Sequence, residues 1–133
     1  MPNLKKITFL VFSLVSIFLQ TAHAQVPNEI MVSFETGNSK LLSAYFNQNV
    51  ELMVLDNENV YSKAQAEQIV SNFFSNFTPV EEDAFQIIHN SGKEGARSVI
   101  GKLKTTKGSF RVYFLLKKSG SKEYIHQLRI DKQ

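Results

Sequence analysis

The alternation of apolar and polar residues predicts a chain whose last part is a run of strands. In the segment GSFRVYFLLKKSG, every second residue from Phe110 to Leu116 is apolar, which is typical of a strand with one buried face. Strand-like patterns also occur in AFQIIHNS, ARSVIGKLKTT and KEYIHQLRIDK, and short turns between the four segments predict antiparallel hairpins. An earlier strand is predicted in VELMVLDNEN, ending in a turn at DNEN.

The first half of the chain has helical spacing in three places. Apolar residues four apart precede Gly37, a residue type that commonly ends helices, and Ser39 is the predicted N-cap of a short second helix. The strongest pattern begins with Ser62 and Gln65, which form a capping box, and is expected to end before Pro79. One apolar face of about four turns follows that box: Ala66, Ile69, Val70, Phe73, Phe74 and Phe77.

This order of elements predicts an α+β fold. About three N-terminal helices are expected to pack on one face of a curved antiparallel sheet of about five strands. The apolar row from Phe110 to Leu116 is the best candidate for the sheet face beneath them. The opposite row of the same strand contains Arg111, Tyr113, Leu115 and Lys117, so it faces water, a ligand or another chain.

The first 24 residues are predicted to be a secretory signal peptide. The basic start MPNLKK precedes an apolar run of 13 residues from Ile7 to Leu19, and Ala22 and Ala24 form a small-x-small cleavage pattern. That run is short for a membrane span, although an uncleaved anchor is the alternative. We expect cleavage after Ala24, a single mature domain over residues 25–133, and a periplasmic or secreted protein with no membrane association after cleavage.

The absence of cysteine narrows the chemistry. With no cysteine in the sequence, disulfides, thiolate metal sites and thiol nucleophiles are excluded. A lipid-modified cysteine at the cleavage site is excluded too, so no lipid anchor is expected. The chain must therefore depend on its hydrophobic core for stability.

Charge is divided unevenly along the mature chain. From Val26 to Glu94 there are ten acidic residues and three lysines, whereas from Gly95 to Gln133 there are ten basic residues and two acidic ones. Such asymmetry is found on surfaces that bind anions, but an acidic helical layer over a basic sheet produces it as well. It does not by itself indicate a nucleic-acid partner, and none is expected.

Few residues suggest catalysis. The only histidines of the mature chain, His89 and His126, have no ligand spacing around them, so no metal site and no cofactor are predicted. Asp56 is interpreted as a turn residue that accepts backbone hydrogen bonds. The rival hypothesis is a small isomerase or hydrolase that uses His126, Tyr124 or Asp56 in a cavity.

Several blocks of the sequence resemble a known superfamily. TGNSKLLSAYFNQNVELMV is similar to the opening of nuclear transport factor 2-like proteins, and RVYFLLKKSG, IIHNSGKEG, IGKLKTTKG and IHQLRIDK resemble small exported bacterial proteins catalogued as domain of unknown function 4783. The resemblance implies a cone-shaped (cystatin-like) domain with a curved sheet, a Gram-negative origin and a cavity at the open end. Ketosteroid isomerase shares this fold, but the context LDNEN around Asp56 does not match its catalytic pattern.

The candidate binding residues lie on the last two strands. Arg111, Tyr113 and Arg129 are expected to lie close together, because consecutive hairpin strands place residues of the last two strands side by side on one face. On the last strand, Ile125, Gln127, Arg129 and Asp131 are expected to share that face. Tyr124 and His126 complete the candidate set. We expect a non-enzymatic module that binds a small ligand in the cone cavity, or an anionic or acidic partner through this face. A solvated outer face and a homodimer through the sheet are the alternatives.

Overall fold

The computed structural model describes residues 25–93 and 95–133, so the predicted signal peptide lies outside the described residues. No helix within these ranges has the length and hydrophobicity needed to cross a membrane. The elements in chain order are α1 (Asn28–Thr36), α2 (Ser39–Ser43), β1 (Phe46–Val54), β2 (Asn57–Ser62), α3 (Lys63–Asn76), β3 (Phe85–Lys93), β4 (Ala96–Thr105), β5 (Gly108–Ser119) and β6 (Lys122–Lys132).

The helix ends follow local sequence chemistry. Gly37 ends α1 in the left-handed conformation, with φ of 67°, and its backbone N–H donates to the carbonyl of Ser33. The N-cap of α2 is Asn38 and not the predicted Ser39, because the Asn38 side chain accepts a hydrogen bond of 2.9 Å from the N–H of Leu41. The capping box that begins α3 is confirmed, since Ser62 and Gln65 each accept a hydrogen bond from the backbone N–H of the other.

The six strands form one sheet in the order β2-β1-β6-β5-β4-β3. The expected count of about five strands was therefore wrong by one. After a two-residue turn at Leu55 and Asp56, the chain returns as β2, although the sequence pattern predicts that the strand ends in a turn at DNEN. The segment NENVYS is polar and mostly exposed, so it lacks the alternation by which strands are identified.

The sheet is mostly but not entirely antiparallel. β1 pairs with β6 in parallel, while the remaining neighbours are antiparallel. The third helix is also not N-terminal to the sheet, because α3 follows the β1–β2 hairpin. The parallel pairing depends on which distant strands meet, and short-range periodicity carries no information on that point.

The predicted inner row of β5 is confirmed. Phe110, Val112, Phe114 and Leu116 are all fully buried. From α1, the ring of Phe34 stacks on Phe114 with centroids 5.9 Å apart and on Phe85 at 4.7 Å. The helices therefore cover one face of the sheet, called here the inner face, and leave the outer face uncovered by any described element.

A β-bulge in β6 corrects one prediction about this sheet. Leu115 pairs with Gln127 but Leu116 pairs with Ile125, so His126 is an extra residue that shifts the alternation. Ile125 is fully buried on the inner face, although it was expected to share a face with Gln127 and Arg129. A period-two reading cannot detect such a shift, because it assumes an uninterrupted ladder.

Candidate functional site

A cavity of about 520 Å³ opens at one end of the sheet, where the β5–β6 turn meets the beginnings of α1 and α3. We call this cavity the hairpin-end cavity. Its ionisable lining residues come in three pairs: two glutamates (Glu29, Glu123), two lysines (Lys63, Lys122) and two tyrosines (Tyr45, Tyr124). The volume lies within the range of small-molecule sites, and the charges of the described lining residues balance.

The cavity lies along a part of β6 that has a strand on one side only. β1 begins at Phe46, which pairs with Ile125, so Lys122, Glu123 and Tyr124 precede the β1 pairing. The N–H of Ile125 donates to the carbonyl of Tyr45 over 2.7 Å, which shows that its polar backbone groups point toward β1. Since strand residues alternate in this respect, the backbone N–H and carbonyl of Glu123 point to the same side, toward the cavity.

One tyrosine of the cavity is held by an acid. The hydroxyl of Tyr45 donates to Oε2 of Glu29 over 2.9 Å. Burial, the hydrogen bond to Glu29 and the charge of Glu29, in that order, raise the pKa of the Tyr45 hydroxyl above its ordinary value. Tyr45 therefore keeps its proton near neutral pH and acts as a hydrogen-bond donor, which suits recognition better than base catalysis.

Glu123 also belongs to an ion pair on the inner face. Nη2 of Arg97 donates to Oε1 and Oε2 of Glu123 over 2.7 and 2.8 Å. The Arg97 side chain is 9% exposed and that of Glu123 is 25% exposed. Nη1 of Arg97 is buried and has no hydrogen-bond partner within residues 25–93 and 95–133. A buried donor that stays unpaired costs about 1–3 kcal/mol.

The structure brings together the predicted residues Arg111, Tyr113 and Arg129. Tyr113 pairs with Arg129 and Arg111 pairs with Asp131, and the four side chains line a depression of about 290 Å³ on the outer face. Nε of Arg129 lies 3.0 Å from Oδ2 of Asp131, and both side chains are about half exposed. Arg111 forms no ion pair with any residue in the described ranges. The expected cluster exists, but one of its two arginines is already paired.

Tyr124 and His126 lie elsewhere. Tyr124 lines the hairpin-end cavity with Tyr45, and His126 occupies the bulge of β6. Burial, followed by the charge of Lys117, lowers the pKa of His126. The two residues therefore do not join Arg111, Tyr113 and Arg129 in one site.

The residues of the rival catalytic hypothesis do not converge. Asp56 is in the β1–β2 turn, at the opposite end of the sheet from Tyr124. The two histidines are on β3 and β6, which are separated by two strands. In the part of the chain that the structure describes, no group of three potential metal-ligating side chains occurs.

Four residues of the hairpin-end cavity and its ion pair were not predicted as site residues: Arg97, Glu123, Tyr45 and Lys63. One signal was available: Arg97 occupies the same alternation phase as Val99 and Leu103, the inward phase of β4. A charge in an apolar phase indicates a buried pair or a site. No comparable signal exists for Tyr45 and Lys63, because the approach of α1, α2 and α3 to β6 is a tertiary feature.

The fold and sequence are similar to those of known proteins. Residues 27–131 match the family described as Domain of unknown function (DUF4783). A DUF4783 family protein from Bacteroides ovatus ATCC 8483 is 32% identical with a TM-score of 0.76, over 84% of this chain and 98% of its own. Another, from Bacteroides uniformis ATCC 8492, is 34% identical with a TM-score of 0.74, over 82% of this chain and 98% of its own.

A more distant likeness shows the fold alone. A designed nuclear transport factor 2-like protein is 11% identical with a TM-score of 0.61, over 77% of this chain and 90% of its own. None of the curated proteins matches this chain. The fold is therefore an α+β arrangement of nuclear transport factor 2-like type, with three helices on a curved, mostly antiparallel sheet of six strands. With the family match spanning nearly all of the described residues, the chain belongs to the DUF4783 family.

Proposed function

We propose that this protein is an exported, non-catalytic binding module that holds a small polar ligand in the hairpin-end cavity. The observation that carries the proposal is the convergence of three pairs of ionisable side chains on one cavity of about 520 Å³. Tyrosines supply flat contact area and hydroxyl groups, while lysines and glutamates supply charges of both signs. The cavity therefore suits a ligand that carries both hydrogen-bonding and charged groups.

The edge of β6 adds directional contacts to this cavity. The backbone N–H and carbonyl of Glu123 point toward the ligand side, where β1 has not yet begun. Backbone groups at an uncovered strand edge bind polar ligands without any side-chain rearrangement. A ligand amide or carboxyl group would satisfy them.

The alternative of a small isomerase or hydrolase has less support. The pKa of the Tyr45 hydroxyl in this cavity is raised. The hydroxyl is therefore protonated near neutral pH, which opposes its use as a base. Tyr124 lies in the cavity, but His126 and Asp56 do not line it. An acid, a base and a nucleophile are thus not assembled around a common point.

A thermal-shift screen of small metabolites tests the binding function. A ligand that binds only the native protein raises the melting temperature, and replacing Tyr124 by Ser or Lys63 by Gln is expected to abolish that rise. Tyr113→Ser is the matched control, because Tyr113 is also a half-buried strand tyrosine but does not line the hairpin-end cavity. Compounds that stabilise all three variants equally would contradict a ligand site in this cavity.

Export is part of the proposal and rests on the residues before Gln25. The basic start, the apolar run of 13 residues and the Ala22–Ala24 pattern support a cleaved signal peptide. The intact mass of the protein recovered from the periplasm or medium measures the cleavage. A mass that includes Met1 to Ala24 would contradict it.

A second candidate function is self-association through the outer face. On the outer face, Glu58 of β2 pairs with Met53 of β1, and Met53 pairs with Arg129 of β6. Arg111 is on β5, so it lies on the same face as Glu58 with two strands between them. Neither of them forms an ion pair within the described ranges, so a second copy related by a two-fold axis places opposite charges together. An acidic partner of another kind would use the same arginines.

Sedimentation velocity over a range of concentrations tests the second candidate. The wild type is expected to associate, whereas Arg111→Gln with Arg129→Gln is expected to remain monomeric. The control is Lys104→Gln with Lys107→Gln, which removes the same charge from exposed positions near the β4–β5 turn. Identical sedimentation of all three proteins would rule out this interface.

A further inference from the structure

Arg97 lies beside a second cavity, distinct from the hairpin-end cavity. This cavity has a volume of about 280 Å³ and lies between the β3–β4 turn and the beginning of β6. Its lining includes Gly92, Lys93, Arg97, Lys118 and Glu123. Among the described residues, only Glu123 lines both cavities.

The hydrogen-bonding capacity of Arg97 is only partly used inside the protein. Nη2 donates to both carboxylate oxygens of Glu123, while Nη1 is buried and has no hydrogen-bond partner among the described residues. A guanidinium carries N–H groups on three nitrogens in a rigid plane, so one carboxylate on one nitrogen leaves donors for a second acceptor. Buried polar groups are nearly always hydrogen-bonded, so an exception calls for an explanation such as strain, a functional role, or a bound water or ion.

Gly92 helps to bury this arginine. A Cβ atom at Gly92 would lie 2.4 Å from the carbonyl oxygen of Ala96 and 2.7 Å from Cα of Arg97, closer than real atoms approach. Glycine therefore allows β3 to pack tightly against the start of β4, next to the arginine. The tight hairpin keeps the Arg97 side chain 9% exposed while the cavity beside it stays open.

The charges around the cavity favour an anion. Glu123 offsets the charge of Arg97, since the two form the ion pair already described. Among the described residues of the lining, Lys93 and Lys118 remain as two cations, and both are exposed. An anion in the cavity would accept hydrogen bonds from Nη1 while the lysines attract it.

We infer that this second cavity binds a small oxyanion, a carboxylate or phosphate group, through Nη1 of Arg97, with Lys93 and Lys118 as flanking cations. The inference goes beyond the proposed function, because it requires no ligand in the hairpin-end cavity. It assigns a role to a charged side chain that is buried without complete pairing.

Thermal melts at constant ionic strength test the inference with three probes: sodium phosphate, sodium succinate and sodium chloride. Phosphate or succinate is expected to raise the melting temperature with a saturating dependence, while chloride is not. Which of the two is more effective distinguishes a phosphate site from a carboxylate site. Equal melting temperatures in all three salts would overturn the inference.

Variants test whether the anion binds beside Arg97. Arg97→Lys keeps the charge but removes Nη1, and is expected to weaken the anion affinity by about tenfold or more, the loss typical of a hydrogen bond to a charged group. Lys93→Gln with Lys118→Gln is expected to weaken it several-fold. Lys104→Gln with Lys107→Gln removes the same net charge elsewhere and should bind as the wild type does. Equal weakening in the two double variants would mean that only overall charge matters, and would also overturn the inference.

A wild-type measurement keeps the test valid if Arg97→Lys fails to fold. In a nuclear magnetic resonance titration, the side-chain N–H signal of Arg97 is expected to move with phosphate or succinate and to stay in place with chloride. A stationary signal would contradict binding at this arginine, whereas shifts confined to the lining of the hairpin-end cavity would place the anion there instead.

Discussion

On the inner face of the sheet, the guanidinium of Arg97 lies 2.7 Å from Glu123 with its side chain 9% exposed, whereas on the outer face Arg129 lies 3.0 Å from Asp131 with its side chain 53% exposed. The two pairs have the same chemistry and nearly the same length. They differ in how much water surrounds them. Water screens the outer pair and replaces its hydrogen bonds at little cost, while the inner pair has lost most of its solvation.

The neighbours of the two pairs differ in the same way. The inner face continues into Leu116, Phe114 and the aromatic ring of Phe34, all fully buried. The outer face around Arg129 is a shallow depression with Arg111, Tyr113 and Asp131. Thus a change on the inner face should affect folding, and a change on the outer face should mainly affect interactions with other molecules.

The largest contrast is expected between adjacent residues of β5. Phe114→Ala removes a fully buried ring and is expected to lower the free energy of unfolding by about 4 kcal/mol, from lost burial and a residual cavity. Tyr113→Ala, on the outer face, should cost about 1 kcal/mol or less, from lost cross-strand contacts. Urea denaturation measures both. Equal losses would mean that the outer face is also covered in solution.

The ion pairs give the next largest contrast. Glu123→Gln leaves Arg97 buried without its carboxylate and should cost about 3 kcal/mol, the low end for a buried pair because Glu123 is 25% exposed. Asp131→Asn should cost about 0.5 kcal/mol or less. The same denaturation experiment tests this prediction, and a loss below about 1 kcal/mol for Glu123→Gln would show that water reaches the inner pair.

Removing both outer arginines should affect stability little. Arg111→Gln with Arg129→Gln is expected to change the free energy of unfolding by less than about 1 kcal/mol, since exposed ion pairs contribute little. The effect should shrink further at high salt, because exposed charges are screened. A large loss that persists in high salt would assign these arginines a structural role and weaken the case for an interaction surface.

The smallest expected effect concerns His126, at the bulge where β6 changes its alternation. Burial and then Lys117 lower the pKa of His126 below its ordinary value of 6.5. As the pH falls below that value, the unfolded chain binds a proton more readily than the folded one, so stability decreases toward the folded pKa. His126→Asn should reduce this acid-dependent loss.

His89→Asn is the control for that pH dependence, because His89 follows the bulged position of β3 and is exposed. Denaturation midpoints measured between neutral and mildly acidic pH provide the comparison. If the His126 variant loses as much stability with acid as the wild type does, another group is responsible for the decrease in stability with falling pH.

The local elements were largely predictable from the sequence. The capping box of Ser62 and Gln65, the C-cap at Gly37 and the buried row of β5 follow from contacts within a few residues. β2 was not predictable in this way, because its polar side chains do not alternate and its partner is β1. The predicted face of Ile125 was wrong for a related reason, because the bulge at His126 is set by how β6 pairs with both of its neighbouring strands.

The sequence by itself determined the α+β class, the resemblance that the family match confirmed, and the closeness of Arg111, Tyr113 and Arg129 on adjoining hairpin strands. These depend on residue periodicity and short connections, which act over a few residues. Only the tertiary structure decided the hairpin-end cavity and the burial of Arg97, because both require the start of β6 to meet distant elements. Tyr45 and Tyr124 are 79 positions apart in the chain yet line one cavity, and contacts of that separation arise from packing of the whole fold.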